Sequence, residues 1–398
     1  MKAGRDITVA EAQQSQVAES VREILREVTA ESPFLQNSAP TKNFSSLGLF
    51  KHSEIRTGKV LGKGAFSVVH EIVGFELEDE VSATMNFQSQ RTRTKFQREA
   101  VDKSTGRARY VIKHLSEDLL KKPNEFSLAA SDLAVEAAFL IRLRHKHILS
   151  LRGFPVTGLG ALEDGHQGFF LILDRLDTTL DRLIEDWKEQ EKQNDSMKLQ
   201  YSRQLASALK YLHRNRIVFR DLKTNNIGID QDGRLRLFDF GLCRELPSPE
   251  AFNQISEEFT SRGVYEMSGV GTRRTMAPEV VLAKGYNCKA DIYGWAIVVW
   301  EMFALARPYS SYSKTDHQHF VCKKGERPPL TAEEEQRQGR KHELLRGSVP
   351  IALSEILRSA WDASLSRRCD AELLCVKLDE ILRPKRATIA LAVRRSYQ

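Results

Sequence analysis

Three short apolar runs between residues 214 and 243 constrain this chain more than any other stretch. Each run has the length of a buried β-strand and is bounded by turn residues. Asp221, Asn226 and Asp239 stand at the ends of these runs. Because an unpartnered buried carboxylate is expensive, the fold must supply cations or metal ions to these aspartates. The stretch therefore predicts a cleft lined by strand ends rather than a dry core.

Composition is that of a globular protein, with 41% hydrophobic and 28% charged residues in a chain of 398. No stretch approaches the run of about 18 apolar residues that a membrane helix needs, and no signal-peptide core begins the chain. We expect no membrane span. The five cysteines form no CxxC pair, which disfavours a disulfide framework or a zinc site. We expect an intracellular protein, with the cytoplasm favoured and the nucleus left open.

The net charge of +7 has two simple explanations. Binding to nucleic acid is the first, but the positive charge is dispersed and lacks an aromatic-basic or helix-turn-helix pattern. Attraction of anionic ligands or acidic partners is the second. We expect no nucleic-acid binding. A scaffold or nucleic-acid-binding protein has only the charge in its favour, and salt-sensitive binding to mixed DNA or RNA would identify it.

The order of the patterns predicts an α+β fold of two lobes. Residues 51–175 alternate apolar and polar positions around a glycine-rich turn, with one helix at 131–148. Residues 176–398 carry apolar residues at three- and four-residue spacings, which is typical of helices. We therefore predict a small antiparallel-sheet lobe with one helix, followed by a larger, mainly helical lobe.

Two segments fall outside this plan. Residues 1–50 form an N-terminal extension, with a predicted amphipathic helix and then a linker at 31–46. We favour a helix that packs on the following domain, and docking of a partner is the alternative. Residues 79–107 form a polar insertion with a basic run. We expect a solvated loop there, and a docking or regulatory role is the minority interpretation.

Several residues have chemistry suited to phosphate. Gly62 and Gly64 lie in the turn, where a missing Cβ lets backbone N–H groups approach an anion. Lys113 ends a predicted strand, and Glu136 on the next helix could pair with it. Each observation alone also fits a tight hairpin or a solvated lysine.

The apolar runs add a second group of polar residues. Asn226 and Asp239 offer the hard oxygen ligands that suit Mg²⁺. Asp221 is placed to accept or orient a hydroxyl proton, with Lys223 two residues further on. Metal ions and neighbouring cations would then compensate the two aspartates at the ends of the runs.

Taken together and in this order, the motifs resemble those of eukaryotic protein kinases. The resemblance covers roughly residues 55 to 380 and is specific because every motif is present at a fitting spacing. The matching residues are Gly62, Gly64, Ser67, Val69, Lys113, Glu136, Phe219, Arg220, Asp221, Asn226, Asp239, Phe240, Gly241, Ala277, Pro278, Glu279, Asp291 and Arg368.

This resemblance implies a bilobal kinase fold that transfers the ATP γ-phosphate to protein hydroxyls, with ATP and Mg²⁺ as cofactors. Lys113, positioned by Glu136, would contact the α- and β-phosphates, and Lys223 the transferred phosphate. Asp221 would orient the hydroxyl and accept its proton, while Asn226 and Asp239 would hold the metal. The implied nucleotide-binding residues are Leu61, Gly62, Gly64, Ser67, Val69, Val111, Lys113, Asp174, Leu176, Asn226 and Asp239.

The acceptor is expected to be Ser or Thr. Lys223 follows Asp221 as in the Ser/Thr branch, and Thr272 is placed to bridge the two. The stretches "MAPE" and "WAIVVWEM" resemble the tyrosine-kinase-like group of Ser/Thr kinases. The main alternative is an ATP-binding pseudokinase. Its support is Phe219 in place of the usual histidine, Val111 in place of a small alanine, and the insertion.

Phosphorylation is the expected form of control. The segment from Asp239 to Glu279 is long and rich in hydroxyls, and the family often uses an arginine like Arg220 to bind a phosphate in it. Our leading sites are Thr260, Ser261 and Ser268, modified by an upstream kinase. The alternative is a solvated loop with incidental hydroxyls.

Overall fold

The computed structural model describes residues 9–30, 32–37, 47–190, 194–247, 264–338 and 345–383. The chain divides into two compact units. The first runs as far as Asp177 and also takes in Phe238–Glu245, and the second takes in Thr178–Leu237 and the residues from Leu246 onward. The division at Asp177 lies close to the predicted lobe boundary at residue 175.

A six-stranded sheet forms the centre of the first unit, in the order β1-β5-β6-β4-β3-β2. Its strands are β1 (Gly48–Phe50), β2 (Ile55–Lys63), β3 (Ser67–Phe75), β4 (Tyr110–Leu115), β5 (Leu151–Pro155) and β6 (Phe170–Asp174). Neighbouring strands are antiparallel except for β1, which pairs with β5 in parallel. The hairpin β2–β3 carries the glycine-rich turn, as its alternation predicts.

Five α-helices of the first unit lie within the described residues. They are α1 (Val9–Ala30), α2 (Pro33–Asn37), α3 (Asp79–Ala83), α4 (Phe87–Glu99) and α5 (Pro123–Arg142). The helix predicted at 131–148 is α5, which begins eight residues earlier at Pro123, a residue pre-organised for a first helical turn. Leu133, Ala137 and Leu140 are buried along it.

The prediction of a solvated loop at residues 79–107 is wrong. This insertion folds into α3 and α4, and α4 packs on β1 and β3. Phe96 joins the apolar core beneath the sheet, and Arg93 is fully buried with Glu54 as its partner. Arg93 Nη1 also donates to the Leu49 carbonyl at 2.7 Å. A burial stripe on α4 therefore outweighs the polar composition that favoured a loop.

The N-terminal extension groups with the first unit. The predicted amphipathic stripe forms α1, whose Val21 and Val28 are buried, and α1 packs on α5. Residues 31–46 were expected to be linker throughout, but Pro33–Asn37 form helix α2 and Ser32 is buried. The sequence favoured a helix that packs on the following domain, and α1 packs in this way on α5.

The second unit is mainly helical. Its α-helices are α6 (Leu180–Glu189), α7 (Asp195–Arg214), α8 (Pro278–Val281), α9 (Lys289–Ala304), α10 (Lys314–Asp316), α11 (Ala332–Gln338), α12 (Ile351–Ala360) and α13 (Ala371–Leu382). Its short strands are β7 (Thr178–Thr179), β8 (Ile217–Val218), β9 (Ile227–Ile229) and β10 (Leu235–Leu237). Strands β10, β9 and β7 form an antiparallel sheet in that order. The three predicted apolar runs form β8, β9 and β10.

The core of the second unit is built on α9. This helix is apolar on all sides and buried over nearly its whole length, with Trp295 and Trp300 fully covered. Their indole N–H groups donate to the Ser202 and Pro329 carbonyls, at 3.0 and 2.6 Å. Among the described helices, none is long and apolar enough to cross a membrane.

Candidate active site

The glycine-rich turn of the first unit is closed by its own backbone. Gly64 N donates to the Ser67 carbonyl at 2.8 Å, and Gly62 lies opposite Val69 across the hairpin. A Cβ added to Gly62 would meet no atom within 4 Å. The space beside this strand end is open, which is what close approach of a phosphate to the backbone requires.

Lys113 on β4 makes two ion pairs. Its Nζ lies 2.6 Å from Glu136 Oε2 on α5 and 3.0 Å from Asp239 Oδ1. Glu136 is only 2% exposed on its side chain, whereas Asp239 is 42% exposed. The lysine therefore bridges two carboxylates. The buried Glu136 orients it, and the accessible Asp239 can also contact a ligand.

The charge states of this cluster follow from its surroundings. Burial lowers the pKa of Lys113, but the carboxylates of Asp239 and Glu136 outweigh burial and raise that pKa above its usual value. The lysine is therefore an ammonium at every physiological pH. Burial raises the pKa of Glu136, and attraction to Lys113 opposes this rise. Removal of the lysine would leave Glu136 with a strong preference for its neutral form.

The backbone that carries Asp239 is specialised. Asp239 adopts a left-handed conformation, with φ of 71°, and Gly241 presses against α5. A Cβ on Gly241 would lie 2.9 Å from the Asp132 carbonyl oxygen, so only glycine allows this approach. The strained residue and the close contact bring the Asp239 carboxylate to Lys113.

The remaining predicted nucleotide residues of the first unit lie on its strands. Val111 is buried and pairs with Leu173 of β6, while Leu61 near the end of β2 is half-buried. Asp174 ends β6, and its carboxylate takes two 2.8 Å bonds from Arg152. Because that side chain is engaged, Asp174 would contact a nucleotide through its backbone. Leu176, two residues later, is half-buried.

Asp221 in the second unit is surrounded by donors. Lys223 Nζ lies 2.7 Å from Oδ2, and Thr272 Oγ1 donates to Oδ1 at 2.8 Å. Asn226 Nδ2 donates to both the Asp221 carbonyl and Oδ2 at 3.0 Å. The carboxylate is thus fixed by contacts to both its oxygens, which answers how a nearly buried aspartate is compensated.

The loop that presents Asp221 is held from behind by Asp291 on α9. Its Oδ2 accepts from Phe219 N and its Oδ1 from Arg220 N, both at 2.9 Å, and His213 Nε2 lies 3.0 Å from Oδ2. These bonds use the backbone, so they do not depend on the side chain at position 219. The substitution of phenylalanine for the usual histidine therefore leaves this anchor intact.

A buried ion pair supports the same unit. Arg368 Nη1 and Nη2 bind the two carboxylate oxygens of Glu279 at 2.7 and 3.0 Å.

Gly271, next to Thr272, has φ of 112°, and a Cβ there would lie 2.3 Å from the Arg220 carbonyl oxygen. Glycine is required at this position for Thr272 to reach Asp221.

The polar groups fit a nucleotide and a divalent cation. In the first unit, the Asp239 carboxylate is 42% exposed on its side chain. In the second unit, the Asn226 amide nitrogen is turned to Asp221, so its oxygen is the metal-ligating end. Across the described ranges, no cluster of three or more His, Cys, Asp or Glu side chains is arranged for a metal ion. Each unit nevertheless offers a hard oxygen ligand of the kind that a divalent cation prefers.

The structure thus brings Lys113, Glu136 and Asp239 together in one unit, and Asp221, Lys223 and Asn226 together in the other. The sequence indicated Asp291 only as a motif match, and its role as anchor of two backbone amides was missed. No local pattern could have revealed it, since more than 70 residues separate donor and acceptor.

Comparison with known proteins identifies the fold. Residues 98–377 match the family described as Protein kinase domain, which is more than half of the 398-residue chain. Together with the sheet-based first unit and the helical second unit, this match confirms the predicted α+β kinase fold and the resemblance to eukaryotic protein kinases. A protein kinase domain implies ATP, a divalent metal and protein substrates.

Three relatives illustrate the range of similarity. Dual specificity protein kinase shkD of Dictyostelium discoideum is 28% identical over 53% of this chain and 25% of its own length. Serine/threonine/tyrosine-protein kinase HT1 of Arabidopsis thaliana is 28% identical over 44% and 38%, respectively. Fibroblast growth factor receptor 2 of Dugesia japonica is 25% identical over 75% and 30%. The chain spans a quarter to two-fifths of these relatives' lengths, and it belongs to the protein kinase family.

Proposed function

We propose that this protein is an active serine/threonine protein kinase that transfers the ATP γ-phosphate to Ser and Thr hydroxyls. The observation that carries the proposal is the Asp221 carboxylate, held by Lys223 at 2.7 Å and by Thr272 at 2.8 Å. A pseudokinase has no need to keep this carboxylate oriented. The Lys113–Glu136 pair supports the same conclusion, because it keeps an ammonium where phosphate oxygens would bind.

Asp221 acts on the acceptor. Its carboxylate orients the substrate hydroxyl and takes its proton as the oxygen attacks phosphorus. Lys223 neutralises part of the negative charge that accumulates beside Asp221 in the transition state. Such catalysis is mainly positioning and electrostatics, so each of these contacts contributes by being fixed before the substrate arrives.

Asn226 and Asp239 are the residues that would hold the divalent cation, which we propose is Mg²⁺. When bound, Mg²⁺ neutralises the charge of the phosphates and orients them. Hard carboxylate and amide oxygens favour Mg²⁺ over softer metals. Treatment with EDTA should abolish phosphate transfer, and Mg²⁺ should restore it better than Ca²⁺ at equal concentration. Equal recovery with Ca²⁺ would contradict the assignment to Mg²⁺.

Specificity for Ser and Thr rests on Lys223 and Thr272. Both contact the Asp221 carboxylate, and we infer that an acceptor hydroxyl approaches it on a short side chain. Two relatives carry dual-specificity or Ser/Thr/Tyr names, which makes tyrosine the competing acceptor. The test is transfer from labelled ATP to matched peptides that differ only in Ser, Thr or Tyr. We expect label on Ser and Thr. Comparable label on Tyr would replace the proposal with dual specificity.

Activation by phosphorylation is the second part of the proposal. Ser268 is exposed, and its Oγ lies 3.5 Å from Arg220 Nη1. A phosphate on this hydroxyl would gain charge-assisted bonds to the guanidinium beside the catalytic loop. Thr260 and Ser261, the other leading sites, lie outside the described residues.

This second part is tested with phosphatase and substitutions. We expect phosphatase treatment to lower the transfer rate of the wild type. The triple variant of Ser268, Thr260 and Ser261 should have this low rate with or without phosphatase. Ser366→Ala, at an exposed serine of the second unit, is the matched control and should leave the rate unchanged. If phosphatase-treated wild type and the triple variant both transfer phosphate at the rate of untreated wild type, the idea of a phosphorylation switch fails.

A further inference from the structure

The junction between α1 and α2 binds a carboxylate of the segment that carries Asp239. Ser32 Oγ donates to Glu245 Oε2, and Phe34 N donates to the same oxygen at 2.8 Å. Ser32 Oγ also accepts from Leu35 N at 3.1 Å, so its hydroxyl proton is directed at Glu245. More than 200 residues separate the two partners in sequence. This tether joins the N-terminal extension to the residues that follow Asp239.

The tether is sheltered and built by packing. Ser32 is 2% exposed, and Leu35 on α2 is 1% exposed. Helix α1 covers α5 with a buried stripe that includes Ala18, Val21 and Val28. A charge-assisted bond in such a place is stronger than one in water, because little solvent competes for either partner.

The extension therefore contacts both elements that position Lys113. Helix α5 supplies Glu136, and α1 packs on α5. The segment after Asp239 supplies the second carboxylate, and Gly241 of that segment lies against Asp132 of α5. Glu245 lies six residues beyond Asp239 and is held by Ser32. A shift of the tether would move Asp239 and α5 together.

A second ionic contact holds α1 in place. Arg22 Nη2 lies 3.0 Å from Glu163 Oε1, in the 3₁₀ turn Gly158–Asp164 against which α1 also packs. Both side chains are partly exposed, so we assign this contact little energy. The buried bond at Glu245 remains the specific one.

We propose that Ser32 and Glu245 are positioning residues for the nucleotide site, through which the N-terminal extension holds Asp239 and α5 in the arrangement that pairs both with Lys113. This proposal rests on the proposed kinase function, because one of its two readouts is phosphate transfer. The tether forms within one chain. The Ser32 hydroxyl and the Phe34 amide both donate to the same carboxylate oxygen of Glu245.

The experiment compares Ser32→Ala, Glu245→Gln, the double variant and the wild type by hydrogen exchange of the backbone amides. In Ser32→Ala we expect exchange at residues 239–245 to be about tenfold faster, as loss of one charge-assisted bond predicts. Exchange in α9 of the second unit should not change. The double variant should be no worse than the more severe single variant, because both substitutions break the same contact. Ser20→Ala, whose hydroxyl donates within α1 to the Gln16 carbonyl, is the matched control.

Activity gives the second readout. Ser32→Ala should raise KM for ATP about tenfold with a smaller change in kcat, because Asp239 and Lys113 act on the nucleotide. Exchange that is faster everywhere to the same degree, or additive effects in the double variant, would overturn the proposal and leave Ser32 a merely structural residue. A wild type without phosphate transfer would instead refute the proposed function, and the exchange data would still decide the role of the tether.

Discussion

The Lys113 cluster and the Asp221 cluster solve the same electrostatic problem in different ways. In the first unit, one ammonium is paired with two carboxylates from distant parts of the chain, one of them buried. In the second unit, one carboxylate is held by an ammonium, a hydroxyl and an amide. Three of these four residues come from a single loop, residues 221–226.

This difference matches the proposed roles. A site that receives polyphosphate needs a fixed cation, and burial of Glu136 keeps Lys113 in place. A site that receives a neutral hydroxyl needs a fixed proton acceptor, and the donors around Asp221 hold its carboxylate in position. The first arrangement depends on tertiary packing of a strand, a helix and a distant segment. The second depends mostly on local backbone, anchored by Asp291.

Loss of the ammonium should have the largest effect. Lys113→Met leaves two carboxylates facing each other, one of them buried, and removes the phosphate contact. We expect phosphate transfer to fall by about a thousandfold, as loss of a preorganised charge predicts. Lys103→Met, at an exposed lysine of the same unit, is the control and should transfer normally. A fall of less than about tenfold would mean that Lys113 does not contact the nucleotide.

The buried ion pair between Arg93 on α4 and Glu54 distinguishes structural charge from functional charge in the first unit. Arg93→Met should reduce the free energy of unfolding by about 3–5 kcal/mol, because it leaves Glu54 buried without its cation. Arg91→Met on the exposed face of the same helix should change it by less than about 0.5 kcal/mol. Urea unfolding measures both. Equal effects would show that the insertion does not belong to the core.

Buried histidines in both units should make stability depend on pH. Burial lowers the pKa of His114 in the first unit to about 4, and burial together with Arg273 and Arg327 lowers that of His317 in the second to about 4. Between pH 4 and the ordinary value of 6.5, the unfolded chain binds more protons than the folded one. Stability is therefore full above pH 6.5 and falls toward pH 4.

Between pH 7 and pH 5, each of these histidines should remove about 2 kcal/mol of unfolding free energy. His114→Phe should reduce that loss, and the same change at the exposed His319 should not. Urea titrations at the two pH values provide the measurement. A pH dependence that is identical in wild type and His114→Phe would rule out this assignment for His114.

The hydroxyl contact in the second unit should have the smallest effect. Thr272→Val removes one of the donors to Asp221 and leaves Lys223 and Asn226 in place. We expect a decrease in kcat of about tenfold, the value of one bond to a charged group. Thr315→Val, at an exposed site, should leave kcat unchanged. A loss as large as that of Lys113→Met would mean that the threonine, rather than the lysine beside Asp221, dominates this cluster.

The sequence carried much of the fold and of the candidate site, because kinase motifs are local. The Gly62–Gly64 turn, Lys113 on a strand, and the loop from Asp221 to Asn226 could each be placed from a few neighbouring residues. Contacts between residues that are far apart in sequence could not be predicted in this way. Asp291 and Glu245 lie far from their partners, and no periodicity relates them.

The prediction of a loop at residues 79–107 was wrong for a different reason. Its polar composition favoured a loop, yet Arg93, Phe96 and Ala100 recur at three- and four-residue spacing on one buried face of α4 and at its end. An arginine that is fully buried by its partner Glu54 looks, in a sequence, like one more solvated charge. If Arg93 is counted as a buried position, the three- and four-residue spacing predicts the helix.

One measurement tests the central claim, that the first cluster serves the nucleotide and the second the acceptor. It is the paired determination of ATP affinity and phosphate-transfer rate in Asp239→Asn and Asp221→Asn, with labelled ATP and Mg²⁺. We predict that Asp221→Asn binds ATP as the wild type does but loses transfer by at least about a hundredfold, whereas Asp239→Asn loses both. Transfer retained in Asp221→Asn, or ATP affinity lost equally in both variants, would contradict the division of roles.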